Sequence, residues 1–159
     1  MADDPRLTHL NESGEVHMVD VGGKDVTDRE AVAEALVAMS PELTDRFFSG
    51  DLPKGDAAAV ARIAGITAAK KTADLIPLCH PIPLTGVEVT LERNGRGIQV
   101  LATVRTTGRT GVEMEAMTAV AVAALTIYDM VKSVERGVSV ESIGLLRKSG
   151  GRSGFWERE

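Results

Sequence analysis

Apolar and polar positions along this chain fall into two kinds of patch, one with helical spacing and one with strand spacing. The strongest is residues 116–128, thirteen uncharged positions in a row, rich in Ala and Val. Glu113 and Glu115 precede it, and Asp129 and Lys132 follow it. The pattern predicts a helix over residues 112–135, buried on nearly every side because no polar face is left for water. A second Ala-rich run, residues 56–75, predicts another helix with Gly65 near its middle. A mid-helix Gly costs roughly 1 kcal/mol against Ala, so its expected use is close packing on another backbone. Residues 28–39 place Ala31, Val32, Ala35 and Leu36 on one helical stripe, with Thr27 as its cap and Ser40-Pro41 as its break. A shorter helical turn follows to Phe48.

Strand spacing is cleanest over residues 87–92, where Val, Val and Leu alternate with Glu, Thr and Glu. Residues 94–97 read as a turn, residues 98–106 as the second arm of a hairpin, and residues 138–146 as a last strand. A weaker alternation over residues 17–21 predicts a short strand ended by Gly22-Gly23. Pro77, Pro81 and Pro83 forbid regular helix through Leu78, Cys79 and His80. Residues 1–17 are expected to be a loose arm, residues 18–154 one domain, and residues 155–159 a tail; residues 147–154, basic with Gly and Ser, read as flexible. The fold class is α+β: a ferredoxin-like antiparallel sheet with long helices packed on one face. Both long helices are too apolar for one sheet to cover, which predicts an oligomer.

Composition narrows the functions. The chain has 159 residues, 43% apolar but only 3% aromatic, so Ala, Val, Ile and Leu must do the packing. A net charge of −5 argues against a nucleic-acid partner. Cys79 is the only cysteine, which excludes an internal disulfide. No stretch reads as a membrane span and no positive-then-apolar signal opens the chain, so the expected location is the cytoplasm.

Each candidate for chemistry has a plain alternative. Asp129 and Lys132 are neighbours on one helix face, which alone gives a surface ion pair of little energy. Their apolar neighbours Ile127, Met130 and Val131 favour an acid and a base in a partly desolvated pocket. Glu113 and Glu115, flanking Met114, suit a helix N-terminus, while residues 108–111 offer a turn with free amides. Fourteen residues separate Glu115 from Asp129, about 21 Å on a straight helix, too far for both to touch one bond. Either they serve opposite ends of a long substrate, or different subunits bring them together. Cys79 and His80 are adjacent; they lack zinc-ligand spacing and, in extended chain, point apart, so His80 is better suited to contact substrate or carry protons. Lys54, beside Gly55, can reach a ligand or remain in solvent. Lys148 and Arg152 can close over phosphates or belong to an unstructured tail.

Six blocks in this order resemble one family: Lys54-Gly-Asp56; Ala61-Arg-Ile-Ala-Gly65; Leu75-Ile-Pro-Leu-Cys-His-Pro81; Gly108-Arg-Thr-Gly-Val-Glu-Met-Glu-Ala116; Ala123-Ala-Leu-Thr-Ile-Tyr-Asp-Met130 with Lys132; and Leu146-Arg-Lys-Ser-Gly-Gly-Arg-Ser-Gly154. The family is cyclic pyranopterin monophosphate synthase, also called molybdenum cofactor biosynthesis protein C. The resemblance implies a lyase that converts (8S)-3′,8-cyclo-7,8-dihydroguanosine 5′-triphosphate to cyclic pyranopterin monophosphate with release of pyrophosphate, by acid/base rearrangement. It implies a homohexamer built as three dimers, active sites at dimer interfaces, and a functional link to a radical S-adenosylmethionine GTP cyclase. Family catalytic roles fall on Asp129, Lys132 and Lys54, and the binding pocket on Cys79, His80, Glu113, Met114 and Glu115, with Lys148 added for the phosphates. No redox change occurs, so no cofactor is expected, although magnesium is compatible with the pyrophosphate product. Val32 stands where the family often has a second arginine, and Arg109 and Arg152 where lysine is common, which keeps charge but alters geometry. The rival reading is a non-catalytic nucleotide-binding ferredoxin-like regulatory module, which would need the pocket but not the acid/base pair.

Overall fold

A computed structural model describes residues 9–11 and 13–159. Its elements run β1 (Thr27–Ala38), α1 (Pro41–Ser49), α2 (Ala57–Ala69), α3 (Thr72–Leu75), β2 (Leu84–Asn94), β3 (Gly97–Gly108), α4 (Glu113–Val131), β4 (Ser139–Ser149) and β5 (Trp156–Glu157). The strands form one antiparallel sheet in the order β2-β3-β1-β4-β5. The first four strands and the two long helices reproduce the ferredoxin-like βαββαβ layout, with β5 added at one edge. Helix α4 packs on β1, β3 and β4, and α2 lies beside it over β2.

The expected helix over residues 28–39 is a strand. Alanine favours helix intrinsically, but β1 lies between β3 and β4 and bonds to both, and tertiary pairing overrides propensity. The same residues also alternate: Ala31, Ala33, Ala35 and Val37 are almost fully buried, while Glu30 and Glu34 on the other face reach Arg105 and Gln99. Thr27 therefore starts a strand and caps no helix. The predicted strand at residues 17–21 does not form; a single bridge, Leu10 to Val16, closes a small hairpin instead. Asn11 Oδ1 accepts from the Ser13 and Glu15 amides inside that hairpin, so residues 13–17 are less loose than expected. The rest of the expected arm, residues 1–8 and 12, lies outside the described residues.

The 56–75 helix divides at Lys70-Lys71 into α2 and α3. Asp56 caps α2, accepting from the Ala59 amide at 2.9 Å. The β2–β3 hairpin turns through Gly95-Arg96, as expected, and Asn94 Oδ1 accepts from the Arg96 amide. Residues 147–149, expected in a flexible tail, extend β4, and Trp156 and Glu157 pair back on Lys148 and Arg147.

Small side chains let the helix layer approach the sheet. Ala116, Ala119, Ala123 and Ala124 of α4 are inaccessible to solvent. A Cβ on Gly65 would lie 3.0 Å from the Ala119 carbonyl oxygen and 3.1 Å from Val89 Cγ2. Gly65 is thus the crossing point of α2 and α4, the role expected of it. By length and composition α4 is apolar enough to span a membrane, against the expectation that no stretch reads as a span. In this fold its buried face covers the sheet.

A Gly65→Val substitution should therefore lose about 1–3 kcal/mol by overpacking the α2–α4 crossing. Urea unfolding checks this; an unchanged midpoint would mean the crossing is looser than the geometry requires.

Candidate active site

The two ends of α4 carry two different groups of residues. At the C-terminal end, Lys132 Nζ lies 2.7 Å from Asp129 Oδ1. Lys54 Nζ donates to Asp129 Oδ2 at 3.0 Å and to the Asp129 carbonyl oxygen at 2.7 Å. Lys54 reaches across because its loop is pinned at both ends. Gly50, in the left-handed conformation, ends α1; Leu52 is buried; Gly55 turns back to Leu52, with φ +88, directly before the Asp56 cap. Sequence alone did not join Lys54 to Asp129; the structure makes them one cluster.

Asp129 is strongly acidic, its pKa held down at about 2, chiefly by the hydrogen bond from Lys132 and then by that from Lys54. The same bond to Asp129 raises the pKa of Lys132. The cluster is solvent-exposed, with the Asp129 side chain 57% accessible. The expectation of a partly desolvated pocket is thus not met by this chain: Ile127, Met130 and Val131 point into the core, not over the ion pair.

At the N-terminal end of α4 a cleft of about 290 Å³ is lined by Lys24, Leu78, Cys79, His80, Glu113, Met114 and Glu115, among others. The structure thus brings together the Cys-His loop and the Glu-Met-Glu turn, far apart in sequence. Glu113 folds back over Gly111, where a Cβ would collide with it, and pairs with Lys148 Nζ at 2.9 Å. Lys148 joins this group because β4 continues past Leu146. Glu115 is buried, 3% exposed. Burial pushes its carboxyl up to about 7, helped by the neighbouring Glu113 charge and opposed by a hydrogen bond from its own backbone amide. Burial, then the Glu115 charge, also raises the Cys79 thiol, which makes a thiolate nucleophile unfavourable there.

A second hollow, of about 390 Å³, adjoins the cleft through Lys24 and is lined also by Thr27, Arg29, Gly151, Arg152 and Ser153. Sequence reasoning offered Arg152 either for phosphates or as part of an unstructured tail, and did not include Lys24 or Arg29 among the site residues. Arg29 is fixed in place: its Nε donates to the Gly108 carbonyl at 3.0 Å, and a side chain on Gly151 would strike its guanidinium. Among the described residues, no group of three or more His, Cys, Asp or Glu side chains is placed to hold a metal ion.

The architecture defines a ferredoxin-like α+β protein with an acid/base cluster at one end of its core helix and a polar cleft beside a cationic hollow at the other. Residues 18–151 match the sequence model of the MoaC family. The chain is 60% identical to a cyclic pyranopterin monophosphate synthase of Roseiflexus castenholzii over 150 residues, covering 93% of this chain and 95% of the relative. It is 56% identical to the synthase of Thermomicrobium roseum, with 96% and 93% covered, and 54% identical to that of Streptomyces avermitilis, with 96% and 90% covered. The chain belongs to the MoaC family.

The folded protein keeps the Glu115 proton up to about pH 7, whereas the unfolded chain releases it near 4.5. Between those values the folded state binds more protons, so this contribution to stability falls as pH rises and is fully lost above about pH 7. Glu115→Gln removes that loss. Its unfolding free energy relative to wild type should rise from pH 5 to pH 8, by up to about 3 kcal/mol. Denaturant titrations across that range check this, and a difference independent of pH would contradict it.

Proposed function

We propose that this enzyme is a lyase of molybdenum cofactor biosynthesis, converting (8S)-3′,8-cyclo-7,8-dihydroguanosine 5′-triphosphate to cyclic pyranopterin monophosphate and pyrophosphate. The observation that carries the reading is the Lys54–Asp129–Lys132 cluster within a chain about 60% identical to named synthases. A regulatory binder would have no use for it, and the relatives are named as enzymes.

The roles follow from the local chemistry. Lys132 enters the reaction as an ammonium, because Asp129 stabilises its charge; it is suited first to give a proton and then to take one back. Lys54 and Asp129 hold that ammonium in place. Glu113 and Glu115 accept hydrogen bonds from the guanidine-like edge of the pterin, Met114 packs beside them, and Cys79 and His80 close the opposite wall. Lys148, with Lys24, Arg29 and Arg152, holds the phosphates and stabilises departing pyrophosphate. The rearrangement has no redox step and calls for no redox cofactor; any magnesium would arrive with the pyrophosphate.

Within one chain the two groups lie about 21 Å apart along α4. Exposed Val60 and Ile63 of α2 and Met114, Leu125 and Tyr128 of α4 form an apolar surface running between them. Two copies meeting there with antiparallel α4 helices bring the acid/base cluster of one chain to the cleft of the other, and cover the exposed ion pair. This dimer is the unit of the proposed hexamer, and a radical S-adenosylmethionine GTP cyclase would supply its substrate in the cytoplasm.

Incubation with the cyclised GTP intermediate should yield pyrophosphate and the cyclic pyranopterin; no turnover by folded protein would refute the assignment. Lys54→Ala and Asp129→Ala should each lose at least about a hundredfold in turnover with little change in thermal melting, since the cluster is exposed. Normal turnover in either would remove that residue from the mechanism. Subunit mixing tests the shared site. Lys54→Ala mixed with His80→Ala regenerates one intact site per hybrid dimer and should restore about a quarter of wild-type activity. Lys54→Ala mixed with Lys132→Ala should restore none, because both belong to one cluster. No restoration by either mixture, with subunit exchange demonstrated, would place the site within single chains.

A further inference from the structure

Glu115 forms part of the wall of two cavities. The main cleft lies on one side, and an adjoining hollow of about 120 Å³, lined by Lys70, Thr72 and Asp74, on the other. His80 and Ile82 share that position. Glu113, two residues away, is paired with Lys148, but among the described residues no salt bridge reaches Glu115. A carboxylate buried with only its own backbone amide as donor and no opposite charge beside it is costly, so the group keeps its proton until something compensates the charge.

The surrounding charges do not change that. Glu113 on the same helix disfavours ionisation. Cys79 from the facing loop has its thiol raised and brings no charge. His9, Lys24 and His80 line the cleft, while Lys70 and Asp74, of opposite sign, line the adjoining hollow. Across the proposed interface, the Lys54–Asp129–Lys132 cluster of a second copy carries two positive charges and one negative, which favours ionisation once the site is assembled around a ligand.

We propose that Glu115 is a proton-linked specificity residue: neutral in the empty cleft, it releases its proton to solvent when a ligand presents two adjacent N–H donors, and binds them as a carboxylate. A neutral carboxyl offers one donor and one acceptor, which suits a lactam; only the carboxylate offers two acceptors to a guanidine-like edge. The residue therefore discriminates a 2-amino purine or pterin from its deaminated counterpart, and does so less well as pH falls. The inference rests on the reading of this cleft as the pterin-edge pocket.

Isothermal titration calorimetry of the assembled protein with GTP and with inosine triphosphate, at pH 6 in buffers of different ionisation enthalpy, tests it. The two nucleotides carry the same phosphates and differ in the second N–H donor. GTP binding should release about one proton per site more than inosine triphosphate binding. Glu115→Gln should erase that difference, and the infrared carbonyl band of a protonated carboxyl should be present in free wild type and missing in the variant. Equal proton release for both nucleotides, a difference that persists in Glu115→Gln, or no such band would overturn the proposal. Proton-linked GTP binding without turnover of the cyclised intermediate would instead refute the enzymatic reading alone.

Discussion

The close contact between α4 and the sheet is the constraint on which the rest of the molecule depends. Ala116, Ala119, Ala123 and Ala124 meet a central strand whose inward positions are Ala31, Ala33, Ala35 and Val37, and Gly65 lets α2 cross against the Ala119 carbonyl. With side chains this small the helix backbone approaches closely, and any sliding would set methyl groups against backbone. The position of α4 along the sheet is fixed, and with it the places where its charged ends emerge. Glu113 and Glu115 emerge beside the Cys79-His80 loop and the end of β4, and Asp129 and Lys132 emerge beside the Lys54 loop.

The two ends differ physically. The Asp129 end is wet and fully ionised, a carboxylate between two ammonium groups. The Glu115 end is buried and holds a carboxyl near neutrality in its titration. An exposed ion pair contributes little to stability, and an unpaired buried carboxyl detracts from it. Neither is explained by folding, and both suit a site whose substrate and second wall come from elsewhere. Between them Met114, Leu125 and Tyr128 of α4 and Val60 and Ile63 of α2 are exposed apolar side chains, where a second copy is proposed to dock.

Much of this was legible in the chain. The long helix, its end charges, the hairpin and the use of Gly65 followed from apolar spacing and from the cost of a mid-helix glycine. The family was legible from six blocks of residues. The central strand was not, because Ala31, Ala33, Ala35 and Val37 fit a helical stripe as well as an alternating one, and only pairing with β3 and β4 decides between them. The cationic hollow beside Arg29 depends on that pairing, since Arg29 is held by the Gly108 carbonyl of β3. Lys54 was chosen for its flexible neighbour Gly55, but its bond to Asp129 is a tertiary contact across 75 residues, which local pattern does not encode. The solvent exposure of that cluster was likewise invisible, since apolar neighbours on a helix face a different side from the residue between them.

The central claim is that one active site draws on both ends of α4 through two chains. An experimental structure of the assembled protein with bound pyrophosphate tests it most directly. The Glu115 carboxyl of one chain should lie closer to the Asp129 carboxyl of a second chain than the separation of about 21 Å along its own helix, with both facing one cavity. An assembly in which every such interchain separation exceeds that length would contradict it.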